Sequence, residues 1–68
     1  MSKYEKLWEH VKNENKDKLT LSFDEIRAIL GFPIDHSFLT FKKELLSFGF
    51  EVQKISMKEN KVYFSKLS

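Results

Sequence analysis

Ser22-Phe23-Asp24-Glu25-Ile26-Arg27-Ala28-Ile29-Leu30-Gly31-Phe32-Pro33-Ile34-Asp35 opens one helix, closes it and prepares the next. Ser22 and Glu25 have capping-box spacing: the hydroxyl can accept from the Glu25 N–H, and the carboxylate can return to the Ser22 N–H. Asp24 and Glu25 also place negative charge at the positive end of the helix dipole. Ile26, Ile29 and Leu30 make a buried face. Gly31 is a natural helix stop, and Pro33 enforces the break. Asp35 is a good N-cap for a further helix, predicted over His36 to Ser47 or Phe48.

Working outward, the preceding segment carries Tyr4, Leu7, Trp8 and Val11 at i, i+3, i+4 and i+7, one apolar stripe of a first helix. Asn13–Lys18 loses the stripe and reads as a frayed end plus a loop. Leu19-Thr20-Leu21 alternates as a short strand does. On the far side, Phe38, Leu39, Phe41, Leu45, Leu46 and Phe48 cover about half of a helical wheel drawn at 100° per residue. Lys42 falls on that apolar side, where its stem can lie on the core edge with the ammonium in water. The outer stripe is His36, Thr40, Lys43 and Ser47, flanked by Ser37 and Glu44.

Gly49 ends this helix. Phe50–Met57, a turn at Lys58-Glu59-Asn60-Lys61, and Val62–Ser65 read as a hairpin. Phe50 and Val52 share one phase and Ile55 and Met57 the other, so a bulge near Gln53-Lys54 is needed. Asn60 tolerates positive φ and suits the turn. The order α-β-α-α-β-β predicts an α+β, winged helix-turn-helix domain over residues 1–68, with a three-helix core and a small antiparallel sheet.

The run Tyr4-x-x-Leu7-Trp8, then Leu19-Thr20-Leu21-Ser22-Phe23-x-Glu25-Ile26-x-x-Ile29-Leu30-Gly31, then Gly49-Phe50-Glu51-Val52 through Met57, resembles an uncharacterised family of small bacterial domains. Its members read Y-x-x-L-x-x-Y-L, L-T-F-x-E-I-E-x-I-L-G and G-W-x-V-x-x-V-D-L. The resemblance spans most of the chain. It implies a winged-helix-like domain that occurs alone or joined to nuclease or restriction-type proteins, and it brings no established activity. Longer members have a tryptophan pair and extra residues where this chain has only Ile34–Phe48.

Sixty-eight residues allow one domain. Such a chain buries only about 60% of its unfolded surface. With no cysteine, neither a disulfide nor a thiolate metal site can contribute. Ten aromatic residues, seven of them Phe, must supply the core. The start carries no apolar leader and no stretch is long enough to span a membrane, so the expected location is cytoplasmic. Eleven Lys against one Arg, with many Asn, Ile and Phe, fits an AT-rich bacterial or phage genome.

Catalysis finds little foothold. His10 and His36 have no ligand-spaced partner, the capping box accounts for Asp24 and Glu25, and the two glycines are single helix stops. No cofactor and no metal are expected. The net charge of +2 is unevenly spread: six basic face seven acidic side chains in residues 1–35, and six face three in residues 36–68. In a helix-turn-helix the second helix enters the major groove. That would present His36, Ser37, Thr40, Lys43 and Ser47 to DNA, with Glu44 beside them, while the wing brings Lys54, Lys58 and Lys61 toward phosphates. A transcriptional regulator is one such DNA-binding role. The alternative is a protein-interaction module (homodimer, adaptor or phage or defence-related inhibitor), with Tyr4, Trp8, Phe32 and Tyr63 as an exposed aromatic patch.

Overall fold

The computed structural model describes residues 3–67; Met1, Ser2 and Ser68, which the predicted domain includes, lie outside them. The order is α1 (Glu5–Glu14), β1 (Lys18–Ser22), α2 (Phe23–Leu30), α3 (Ser37–Phe41), a 3₁₀ segment (Lys42–Phe48), β2 (Phe50–Ser56) and β3 (Lys61–Lys66). This is an α+β arrangement with a three-stranded antiparallel sheet in the order β1-β3-β2. No helix among the described residues is long and apolar enough to cross a membrane.

The capping box forms as its spacing requires. Glu25 N donates to Ser22 Oγ at 3.0 Å and Ser22 N donates to Glu25 Oε1 at 2.9 Å. These bonds to the charged form hold the Glu25 carboxyl below its usual range. Gly31 ends α2 at φ 86°, a left-handed conformation that glycine adopts without a Cβ penalty. Asn15 closes α1 in the same region.

The core joins Tyr4, Leu7, Trp8 and Val11 of the first segment to Leu21, Ile26, Leu30, Phe38, Leu45, Phe50, Val62 and Phe64. Tyr4 and Trp8 are fully buried, which corrects their assignment to an exposed patch. Their rings pack on each other and on Phe38, with centroids 5.5–5.9 Å apart. Phe32 and Tyr63 are half-buried. An aromatic hot spot of those four residues is therefore absent. Rings this large contribute more when they fill the small core than when left in water.

The third helix departs most from expectation. It is α-helical only over Ser37–Phe41, and from Lys42 it tightens to a 3₁₀ winding. With about three residues per turn, side chains three apart stack in ridges. Lys42, Leu45 and Phe48 form the inward ridge, half-buried, buried and half-buried in turn. Lys43 and Leu46 form an outward one. Leu39 and Leu46, both expected in the core, are 54% and 50% exposed. Lys42 is half-buried on the apolar side, as the wheel places it.

The hairpin contains the expected bulge: the register slips between Val52 and Lys54, leaving Gln53 unpaired. That slip puts Val52 and Ile55, opposite Phe64 and Val62, on the core face. The turn is Met57–Asn60, one residue earlier than predicted, with Asn60 at φ 57°. Lys61 thus begins β3.

Candidate nucleic-acid interface

The N-terminal end of the third helix is fixed by Asp35. Its Oδ1 accepts from Ser37 N at 2.8 Å and from Ser37 Oγ, and its Oδ2 accepts from Lys3 Nζ at 2.9 Å. Tyr4 Oη lies 3.1 Å from Oδ1 and 2.8 Å from Ser37 Oγ. Each hydroxyl has a single proton. The distances favour a relay in which Tyr4 donates to Ser37 and Ser37 donates to the carboxylate. Hydrogen bonds from Ser37 and Lys3 hold the Asp35 carboxyl far below the usual carboxylate range. The N-cap of α3 is His36, without a side-chain capping bond, not Asp35 as expected. Asp35 stands one residue earlier, where it accepts from Ser37 and ties the residues before α1 to the helix start. Ser37, a predicted DNA contact, is half-buried with its hydroxyl engaged in this relay.

Beyond this cluster, His36, Thr40, Lys43 and Ser47 are all exposed, as predicted. Leu39 and Leu46 are exposed on the same helix, which makes its outer surface more apolar than expected. Ser47 Oγ donates to the Glu44 carbonyl at 2.7 Å, so its proton stays within the segment. Glu44, half-buried, accepts from the Trp8 indole N–H at 3.0 Å. That bond directs a carboxylate next to Lys43 inward.

The hairpin lysines divide into two groups. Lys58 is exposed in the turn. Lys54 pairs with Tyr63, and Lys61 pairs with Ser56 and Ser22. Successive residues of a strand point to opposite faces, and Val62 and Phe64 face the core, so Lys54, Lys61 and Tyr63 face outward. The 3₁₀ segment packs against β2 on the core side. Lys54 and Lys61 thus face away from the layer that carries His36, Thr40 and Lys43. The predicted contact set is two surfaces, not one.

Sequence reading missed three features. Lys18 lies on the outer sheet face, and the Lys18/Thr20 against Leu19/Leu21 alternation was the available signal. The Lys3–Asp35 and Trp8–Glu44 bonds join residues more than 30 positions apart, and no local pattern announces them. A shallow depression of about 480 Å³ is lined by Lys3, Glu5, Lys6, Glu9, Leu30 and Phe32 and includes none of the predicted contacts. Among the described residues, no group of three or more His, Cys, Asp or Glu could hold a metal ion. In comparisons with protein families, curated proteins and solved structures, nothing matches this chain.

Proposed function

We propose that this chain is a non-catalytic, winged-helix-like domain that binds duplex DNA through the outer side of its third helix, in the manner of a transcriptional regulator. The observation that carries this reading is the joint exposure of His36, Thr40 and Lys43 along a helix anchored inward by Phe38 and Leu45. In a major groove, Thr40 and His36 offer hydrogen bonds to base edges, and Lys43 can donate to guanine. Lys58, in the hairpin turn, is the phosphate contact of this surface. Lys54 and Lys61 point elsewhere and are left out of it.

The test is a titration of a labelled mixed-sequence duplex at about 50 and about 200 mM salt. The two cations of this surface, Lys43 and Lys58, together displace about two counterions, which predicts a log–log salt slope of about −2. Lys43→Ala and Lys58→Ala should each weaken binding and flatten that slope. No binding at low salt, or binding indifferent to both changes, overturns the reading.

Leu39 and Leu46 favour a second reading, in which the helix docks an apolar surface of another protein or of a second copy. Sedimentation of the native chain and of Leu46→Lys separates the two. A dimer broken by Leu46→Lys, with no duplex binding, supports this second reading.

A further inference from the structure

The outer face of the sheet is built from three cross-strand rows. Ser22, Lys61 and Ser56 make one; Thr20, Tyr63 and Lys54 the next; Lys18, Ser65 and Glu51 the third. No aliphatic side chain lies in these rows, and the single aromatic ring stands at their centre, on the central strand. Each strand contributes one lysine. The only acid in the rows is Glu51, at a corner. Glu59, in the turn, is committed to the ring: Tyr63 Oη donates to its Oε1 at 2.7 Å. That bond lowers the Glu59 pKa and raises that of Tyr63, and it fixes the tyrosine's orientation.

We propose that this face is a second binding surface, for a short run of single-stranded nucleic acid, with one base stacked on Tyr63 and the flanking phosphates on Lys61, Lys54 and Lys18. Lysines stand on both sides of the ring along the strand direction. Lys61 lies two residues before Tyr63 on β3, about 7 Å away, and Lys18 lies one row beyond it, across the ladder. A backbone crossing diagonally from Lys61 to Lys18 meets cations before and after the stacked base and avoids the Glu51 corner. Lys54 Nζ already sits 6.0 Å from the ring centroid, so the ring face receives a cation in the free protein. An incoming base takes that position and moves the ammonium outward to a phosphate. Duplex DNA hides its base faces in the stack and cannot use the ring, whereas a single strand can. Lysine and serine are depleted at protein–protein interfaces, and their density in these rows argues against a protein partner here.

The surface is independent of the third helix, so the two proposals fail separately. The probe is a fluorescent oligo(dT) of about eight nucleotides, within the range one small domain covers, read by anisotropy at low salt. Tyr63→Leu should weaken binding about tenfold, and Tyr63→Phe should keep most of it. The triple change Lys18→Gln, Lys54→Gln and Lys61→Gln should abolish it. Lys43→Ala, which should weaken duplex binding, should leave it unchanged. Far-UV circular dichroism and Trp8 fluorescence establish that each variant is folded; should Tyr63→Leu unfold, the triple variant and Tyr63→Phe decide. Failure of the native protein to bind, equal affinity in Tyr63→Leu or in the triple variant, or an equal loss in Lys43→Ala overturns the proposal.

Discussion

The indole N–H of Trp8 reaches across 36 positions to the Glu44 carboxylate, 3.0 Å away, and so fastens α1 to the 3₁₀ segment. Trp8 is 1% exposed. Without this acceptor a buried N–H loses its partner, at a cost of about 1–3 kcal/mol. Glu44→Ala should lower the midpoint of urea unfolding accordingly, and Glu44→Gln, which keeps an acceptor oxygen, should lower it less. Trp8 is the only tryptophan, so its emission should shift in the folded alanine variant.

Leu45 and Leu46 are neighbours in sequence and opposites in environment, at 0% and 50% exposed. Leu45→Ala should cost about 2–5 kcal/mol, and Leu46→Ala less than about 0.5 kcal/mol. Equal losses on denaturant titration would mean that the segment winds as an ordinary α-helix.

Much of the fold was legible because it is written in local chemistry. The Ser22/Glu25 box, the Gly31 and Gly49 stops and the phase slip at Gln53 each act within a few residues, and the structure realises each of them. The winding of Lys42–Phe48 was not legible. Lys-Lys-Glu-Leu-Leu-Ser-Phe suits an α-helix by propensity, and nothing in those seven residues signals the tighter turn. The exposure of Leu46 was not legible for the same reason. A wheel at about 100° per residue, carried through Lys42–Phe48, turns Leu46 inward, whereas the tighter winding exposes it, and the sheet face that Lys54 takes follows from the slip at Gln53.

Asp35 gives the fold a pH dependence of definite sign. Its folded-state pKa is depressed below the unfolded value of about 3.9 by the bonds from Ser37 and Lys3. The resulting stabilisation is complete above that unfolded value and is lost as pH falls toward the folded one. Glu25 and Glu59, also depressed, add in the same direction. Thermal midpoints should therefore drop between about pH 5 and pH 2, and Asp35→Asn should shrink that drop while lowering the midpoint at neutral pH.

Ser22→Ala removes one half of the reciprocal cap on α2 and should cost about 1 kcal/mol. Glycine at the same position should cost only a few tenths. Amide exchange should quicken first at Glu25, whose N–H loses its acceptor.

Gly49 carries φ 88° between the 3₁₀ segment and β2, and a Cβ added there would meet no atom within 4 Å. Gly49→Ala should therefore cost only the left-handed backbone penalty, about 1–2 kcal/mol. A calorimetric loss well beyond that would point to crowding at this position.

The middle strand of the sheet is the last element along the chain. β1 and β2 do not touch through hydrogen bonds; both lean on β3, Lys61–Lys66. During synthesis the ribosome must release almost the whole domain before a single ladder bond can close, so helices can form early while the sheet appears in one late event. A nascent chain cut before Lys61 would carry two unmatched ribbons with Leu21, Phe50 and Val52 uncovered, and would be a substrate for chaperones and proteases.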